Sequence, residues 1–207
     1  MVVYMALSQP THDSKAKFLD AALHVIRTKG YAATTIDDIC ESAGLTKGSF
    51  FHHFKGKQDL ALAAAAHFSA KTDGAFANAA YRDLPNPINR LLGYVDLRQQ
   101  LLRREIPEFT CLLGTMVQET YDSNPSIRKA CDKGLSGHAA LLEQDIADAM
   151  RRRKIDADWD AKSLALHIQA VIQGAFILAK SKNGSDVAFE CLEHLKRYLK
   201  LLFNHAK

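Results

Sequence analysis

The sequence predicts an all-α fold, and three observations lead to that prediction. Apolar residues recur every three or four positions along most of the chain, which is the spacing of one helix face. Side chains that cap helices punctuate the chain, as in Asn86-Pro87 and Asn124-Pro125, where a capping asparagine precedes a proline at the first helical position. No segment alternates apolar with polar residues in the manner of a strand, so we expect no sheet.

The composition fits a well-packed globular chain. Hydrophobic residues make up 47% of 207 residues and the formal net charge is +4. This share of apolar residues argues against global disorder, and the small basic excess permits a nucleic-acid partner without requiring one. The four cysteines are far apart and form no CxxC pair, so we expect free thiols, no disulfide framework, no metal site and no cofactor.

No segment of the sequence predicts membrane attachment. The longest apolar stretches are shorter than the roughly 20 residues that a membrane-spanning helix needs. The first ten residues are apolar but lack the basic leading region and the cleavage site of a signal peptide. We therefore expect a cytoplasmic protein with no membrane partner.

Three short helices are predicted in the first sixty residues. The first begins near residue 13 or 14 and ends at Gly30, where a left-handed turn is expected. Thr35 caps the second helix, and Asp38 stands three residues later, as in a capping box. Thr46 caps the third helix, which runs to about Phe54.

Longer helices follow these three. They are expected from about 58 onwards and over 87–102, 109–121, 125–153, 161–180 and from about 186 to 203. The change from short to long helices lies just after Gln58, within a helix. It predicts two domains, 11–60 and 61–207.

The short helices at 34–54 have the layout of a helix-turn-helix unit, which contacts DNA through its second helix. The start of that helix offers free N–H groups and the positive end of the helix dipole to a phosphate, and no acidic side chain stands there. Gly48 removes a side chain where a duplex must approach closely. Lys47 and Ser49 are predicted to reach base edges. Thr35, His52, Lys55 and Lys57 are predicted to lie near phosphates, and Thr46, the cap of the helix, belongs to the same DNA surface.

Residues 30–60 carry the most specific pattern, GYAATTIDDICESAGLTKGSFFHHFKGKQDL. This run resembles the DNA-binding domain of TetR-family bacterial transcriptional regulators. About 45 residues carry the resemblance, and the rest of the chain matches the family in length and helical character. Family members commonly have Tyr at the position of Phe51, and that hydroxyl often contacts a phosphate. The resemblance therefore includes Phe51 in the DNA surface but places more of the affinity on His52 and Lys57.

The resemblance also implies a homodimer. Two helix-turn-helix units related by a two-fold axis bind half-sites about 34–36 Å apart, and the terminal helix pair forms the dimer interface in TetR-like proteins. Apolar stripes on the last two helices fit a four-helix bundle between two chains. The same stripes also fit an intramolecular core. The predicted interface residues are Ile168, Val171, Ile172, Ala175, Leu178, Leu192, Leu195 and Leu199.

The middle helices place polar side chains among apolar ones, which is typical of a small-molecule pocket. The predicted pocket residues are Phe109, Cys111, Thr115, Met116, Glu119, His138 and Gln173. Cys111 supports a second hypothesis, a sensor thiol, because it lies near a helix start where the dipole favours the thiolate. The alternative for Cys111 is a small buried hydrophobic residue.

Together these expectations describe a repressor that a small-molecule effector releases from a palindromic double-stranded DNA operator. Two other classes remain open. An effector-independent DNA-binding protein would have the same N-terminal unit. A small helical enzyme is disfavoured, because the chain has no GxGxxG, P-loop, HExxH or GxSxG motif and the set Cys111, His138 and Asp145 consists of polar residues on helices.

Overall fold

The computed structural model describes residues 10–205, with side chains described for 14–204. This part of the chain forms ten α-helices and a single 3-10 turn, and it contains no strand. The segment considered above as a signal peptide lies, up to residue 9, outside the described residues. The helices are α1 (Pro10–Lys29), α2 (Ile36–Ala43), α3 (Lys47–His53), α4 (Lys57–Ala77), α5 (Pro87–Leu101), α6 (Ile106–Phe109), α7 (Leu112–Thr120), α8 (Pro125–Arg153), α9 (Ala161–Lys182) and α10 (Asp186–His205).

The N-terminal unit packs α1, α2 and α3 around aromatic rings. Phe18, Phe50 and Phe54 are buried, with ring centroids 5.5 to 6.2 Å apart. The predicted capping box at α2 is present, since Thr35 Oγ1 accepts from the Asp38 amide and Asp38 accepts from the Thr35 amide. Gly44 then turns the chain with a φ of 65°.

Helix α4 joins this unit to the rest of the protein. It packs against α1 on one side and α8 on the other. The domain boundary proposed at residues 60 and 61 falls within the first turns of α4, so one continuous helix belongs to both units.

The C-terminal body is arranged around α8, which packs against α4, α5, α7 and α9, while α10 covers α9 and α5. Its helices start at the predicted caps: the side chains of Asn86, Asn124 and Asp160 each accept a hydrogen bond from a first-turn amide. Asn183 ends α9 in the left-handed region with a φ of 49°.

The helix predicted over 109–121 is present as α7 but begins three residues later, at Leu112, because Phe109 ends the short helix α6, which was not predicted. Thr110 and Cys111 both have extended backbone, with ψ of 159° and 121°. Pro107 fits the first turn of α6, and Cys111 acts as the N-cap of α7. The break between these helices places Cys111 at a helix start.

The predicted dimer interface also needs correction. Six of the eight residues lie inside the protomer, each with no more than 3% of its surface exposed: Ile168, Ile172, Ala175, Leu192, Leu195 and Leu199. Val171 is half-buried against the same core, and Leu178 is exposed. The stripes we selected are the faces on which α9, α10 and α8 pack against one another within one chain.

Within the described residues, α9 is the one helix whose length and composition would allow it to cross a membrane. It lies between α8 and α10, and eight of its side chains are buried in the protein core. This packing is typical of a core helix.

Candidate DNA and effector sites

Helix α3 presents one face to solvent. The side chain of Thr46 caps it by accepting from the Ser49 amide at 3.2 Å, and Phe50 anchors its inner face in the aromatic core. Lys47, Phe51 and other outer residues are exposed, and 56% of Phe51 is accessible. A Cβ at Gly48 would meet nothing closer than 3.8 Å, so this part of the helix is open to a large partner.

Lys47 is held by a replaceable ion pair. Its Nζ lies 2.7 Å from Asp37 Oδ1, and both side chains are more than half exposed. The carboxylate raises the pKa of Lys47, which stays fully charged. An exposed pair of this kind contributes little stability, so a phosphate or a guanine edge can compete for the ammonium.

Thr35 and Lys57 have internal partners. Thr35 is engaged with Asp38, whose pKa is held well below its usual range, chiefly by Lys29 and Thr35. Lys57 Nζ donates to the carbonyl oxygens of Tyr31, Ala32 and Thr34 at 2.9 to 3.2 Å and lies over the Tyr31 ring. We call residues 30–35, between α1 and α2, the head loop. Lys57 binds the carbonyls of this loop.

Glu119, on α7, binds the amides of the same head loop. Its two carboxylate oxygens accept from Tyr31 N at 3.1 Å and from Ala32 N at 2.7 Å. Gly30 has a φ of 88°, and a Cβ there would lie 2.5 Å from Glu119 Oε1. Glycine therefore satisfies both the left-handed backbone and the close approach of the carboxylate. A residue predicted as a pocket residue thus contacts the DNA-binding unit.

We call the contacts that connect the DNA-binding unit to the body the joint; they are made by Lys57, Glu119, Arg27 and Lys180. The last two of these residues are cations. Arg27, near the end of α1, donates through Nη1 to the carbonyls of Glu108 and Thr110 at the end of α6. Lys180, on α9, donates to the carbonyl of Arg27 at 2.9 Å and to Thr115 Oγ1 at 3.2 Å. Burial and the neighbouring guanidinium lower the pKa of Lys180. The end of α1 is therefore tied to α6 and α9 of the body.

A small cavity, about 30 Å³ in volume, lies deeper in the body between α4, α5, α7, α8 and α9. Four predicted pocket residues line it: Phe109, Cys111, His138 and Gln173. Thr115 and Glu119 line a neighbouring groove that Lys180 also borders. Met116 is wrong as a pocket residue, because it is fully buried in the core and lines neither space.

A polar network forms one wall of this cavity. Tyr94 Oη accepts from Arg98 Nε and Gln169 Nε2, both at 3.1 Å. Arg98 Nη2 donates to His138 Nε2 at 2.8 Å, so Nδ1 carries the hydrogen that His138 donates to Asp73. Burial and the Arg98 charge lower the pKa of His138 to about 4, against the opposing effect of Asp73.

Cys111 lies where this cavity meets the joint. Its Sγ accepts from the Gly114 amide at 3.4 Å in the first turn of α7, and the thiol is free. The thiol is almost completely buried, with 9% of the residue exposed.

Comparison with known proteins identifies the two units. Residues 18–64 match the model of the family described as "Bacterial regulatory proteins, tetR family". Residues 87–194, more than half of the chain, match "Tetracyclin repressor-like, C-terminal domain". The chain belongs to the TetR family. It is therefore a DNA-binding transcriptional regulator, as the helix-turn-helix pattern predicted.

Relatives cover most of this TetR-family chain. The transcriptional regulator AcuR of Cereibacter sphaeroides is 27% identical over 80% of the chain and 76% of its own length. The HTH-type transcriptional repressor NemR of Escherichia coli is 24% identical over 91% and 94%. A crystal structure of reduced NemR superimposes with a TM-score of 0.77 at 22% identity, covering 90% of this chain and 96% of that one. A regulatory protein TetR from Rhodobacter sphaeroides gives a TM-score of 0.79 at 24% identity, with coverages of 89% and 97%.

The TetR resemblance did not point to the residues of the polar network. Arg98, Tyr94, Asp73 and Gln169 are absent from the predicted pocket residues. One signal was present, since Arg98 and Tyr94 are four residues apart on a helix whose neighbouring positions are apolar. An arginine on such a face ordinarily extends to solvent, so the sequence alone does not distinguish a solvent-exposed arginine from one that lines a cavity.

Proposed function

We propose that this regulator is a homodimeric repressor that leaves its operator when a small molecule occupies the cavity of the body. The observation that carries the proposal is the joint, in which Glu119, Lys57 and Arg27 bind the DNA-binding unit to the elements around the cavity. Similarity to the repressor NemR supports repression as the outcome of DNA binding. A cytoplasmic location and the absence of catalysis belong to the same proposal.

The proposed DNA surface is the exposed face of α3 with its flanks. Lys47, Gly48 and Ser49 lie at the start of α3 and contact base edges, while Thr46, His52, Lys55 and Thr35 lie beside phosphates. Phe51 contributes an exposed ring, which would pack on sugars or a thymine methyl. Lys57 supports this surface from within and does not contact DNA, because its ammonium already binds three carbonyls.

The proposed dimer surface is the outer face of α9 and α10. The large apolar side chains exposed there are Leu166, Ile177, Leu178, Phe189, Tyr198 and Leu201. His167 on α9 and Tyr198 on α10 lie in ring contact at 5.3 Å, so the two helices form one continuous surface. Such a patch on a monomer is typical of an interface, and a two-fold axis through it would give the four-helix arrangement of the family.

The proposed release mechanism follows from the connections of α4 and α7. A molecule in the cavity contacts α4 directly, and α4 carries Lys57 at its other end. It also contacts Cys111 at the start of α7, the helix that carries Glu119. Movement of either helix shifts the head loop and with it the separation of the two α3 helices. Coupling of about 1–3 kcal/mol, usual for allostery, would weaken operator binding roughly 5- to 150-fold.

Operator binding tests the DNA surface. An operator selected from random duplexes is titrated by fluorescence anisotropy against the wild type, Lys47→Ala and the control Lys133→Ala, whose lysine is exposed on α8. Loss of Lys47 is expected to weaken specific binding by about tenfold, as for one base contact. Equal affinities for all three proteins would contradict the assigned surface.

Sedimentation analysis tests the dimer. Leu201→Glu and Ile177→Glu are expected to give folded monomers, because each places a carboxylate in the apolar patch. The control is Tyr121→Glu, which changes an exposed aromatic side chain of the same body away from the patch. A dimer that survives both substitutions would move the interface elsewhere.

A second candidate signal is oxidation of Cys111. The thiol lies at the N-cap of α7, and the related NemR structure is that of a reduced form. Cys111→Ser is expected to remove release of the operator by mild oxidants while leaving operator affinity unchanged. An intact oxidant response in this variant would assign the signal to another group.

A further inference from the structure

The cavity has two chemically different walls. Phe68, Phe109 and Phe176 form one wall together with two leucines. Polar side chains line the rest: Ser69, Thr72, Asp73, Arg98, His138, Gln169 and Gln173. Tyr94 contacts Arg98 but does not itself line the cavity. Because the cavity is only about 30 Å³ in volume, a ligand must displace lining side chains to enter it, and it needs an apolar body and a polar end.

Arg98 determines the charge of that polar end. Among residues 14–204 it forms no ion pair with a carboxylate, whereas Arg82 and Arg90 share the buried carboxylate of Asp145. Its guanidinium lies 4.2 Å from the centroid of the Phe76 ring. Its Nε and Nη2 donate to neutral partners, and in the described part of the chain nothing accepts a hydrogen bond from Nη1. The cavity thus contains a positioned cation with free donor capacity.

The neighbours of Arg98 hold it in place without neutralising it. His138 accepts from Arg98, and a histidine that accepts through Nε2 while donating through Nδ1 is uncharged. Tyr94 is neutral and is fixed by Gln169. Asp73 is the one carboxylate that lines the cavity, and its Oδ1 is engaged by His138 at 2.8 Å.

We infer that the effector is a monocarboxylate with a compact apolar body, and that Arg98 binds its carboxylate. A planar guanidinium matches a carboxylate with two parallel hydrogen bonds, and burial strengthens this contact. Asp73 would repel a second carboxylate, so the site discriminates against dicarboxylates. This inference rests on the proposed function, because it names the chemical class that the proposed effector site takes.

The test compares matched acids and amides on the unmodified protein. Binding of benzoate, phenylacetate, benzamide, phenylacetamide and phthalate to the full-length protein is measured by calorimetry and thermal shift up to millimolar concentration. The monocarboxylates are expected to bind at least about tenfold more tightly than their amides, the effect of a charged hydrogen bond, and phthalate more weakly than benzoate. Equal binding of acid and amide, or no binding by either monocarboxylate, would overturn the inference.

Variants assign the binding to Arg98. Arg98→Met is expected to lose benzoate binding by about tenfold or more, while Arg103→Met, which changes an exposed arginine five residues away, retains it. Arg98→Lys keeps the charge but loses the planar donor pair, so it is expected to bind weakly. Retention of full affinity in Arg98→Met would overturn the inference. If that variant does not fold, Arg98→Lys and the comparison of acid with amide still decide.

Operator binding measured in parallel separates this inference from the proposed function. If benzoate binds through Arg98 but the operator stays bound, the carboxylate site stands and release by occupancy of the cavity fails. If no monocarboxylate binds while a neutral compound stabilises the protein and releases the operator, the proposed function stands and the carboxylate site fails.

Discussion

The two units of this regulator have interiors of opposite chemistry. The core of the DNA-binding unit is built from the rings of Phe18, Phe50 and Phe54, which pack edge-to-face or tilted against one another. The body instead encloses hydrogen-bonded polar groups, including Tyr94 and His138, beside its aliphatic core. An apolar ring cluster fixes one shape, because any change of spacing loses contact. A polar network can exchange its internal hydrogen bonds for those of a ligand. We therefore expect the DNA-binding unit to be rigid and the body to select the ligand.

The largest expected effect is on the ring cluster. Phe50→Ala is expected to destabilise the protein by about 3–5 kcal/mol, because it opens a cavity between Phe18 and Phe54. Urea unfolding followed by circular dichroism measures the change. The neighbouring exposed ring provides the control, since Phe51→Ala is expected to alter stability by less than about 1 kcal/mol while weakening operator binding. Equal losses for the two variants would remove the contrast between the inner and outer faces of α3.

The polar network of the body is expected to make the stability of the protein depend on pH. His138 has a pKa near 4 in the folded protein, whereas an unfolded histidine has one near 6.5. Between these values the unfolded chain binds more protons, so stability is fully present above pH 6.5 and decreases as the pH falls towards 4. The loss from this group is about 3 kcal/mol at most. Urea unfolding at several pH values measures it.

A matched pair of variants isolates the contribution of His138. The slope of stability with pH is expected to be smaller in His138→Gln and unchanged in His194→Gln, which alters an exposed histidine of α10. An unchanged slope in His138→Gln would show that protonation of His138 does not cause the pH dependence of stability.

Lys57 tests whether the border between the units is structural. Lys57→Ala removes an ammonium that binds three carbonyls, so a loss of about 2 kcal/mol in unfolding free energy is expected. A phosphate-binding lysine would instead leave stability unchanged and reduce the salt dependence of DNA binding by about one unit. Lys55→Ala, at an exposed lysine, is expected to show that second behaviour. The reverse pattern would return Lys57 to the DNA surface.

The smallest expected effect concerns Glu119. Glu119→Gln keeps the shape of the side chain but removes the charge from its hydrogen bonds to Tyr31 and Ala32, for an expected loss of about 1 kcal/mol. Its clearer effect is expected on coupling: operator affinity with and without the effector should differ less than in the wild type. Asp122→Asn, an exposed acid just beyond α7, serves as the control. Undiminished coupling in Glu119→Gln would exclude this contact from signal transfer.

The sequence predicted the parts of the fold that depend on local chemistry. Caps at Thr35, Thr46 and Asn86 are satisfied by amides two or three residues away, so their signal is complete within a short window. The break between α6 and α7 was not predicted, because the apolar spacing continues across Thr110 although the backbone there is extended. The sequence also did not show that Leu199 is buried while Leu201 is exposed, since the same helical spacing occurs in a protein core and in a dimer interface.

The polar pocket residues that the sequence predicted, His138 and Gln173, interrupt apolar helices. Arg98 was not found because its partners lie on α8 and α4, far away in the sequence. Glu119 and Lys57 carry charges that ordinarily face water, and their common target is the backbone of the head loop, whose amides and carbonyls have no side-chain signal. Tertiary contacts between a side chain and a distant backbone leave no periodic trace in a single sequence.

The head loop has a consequence for exchanging parts between relatives. Its carbonyls are held from α4 and its amides from α7, by side chains of opposite sign on two separate helices. A chimera that fuses this DNA reader to a foreign sensor after α4 would inherit the lysine but not the glutamate. Such a hybrid would bind the same promoter but would not respond to its new inducer until an acidic residue is restored opposite Tyr31 and Ala32.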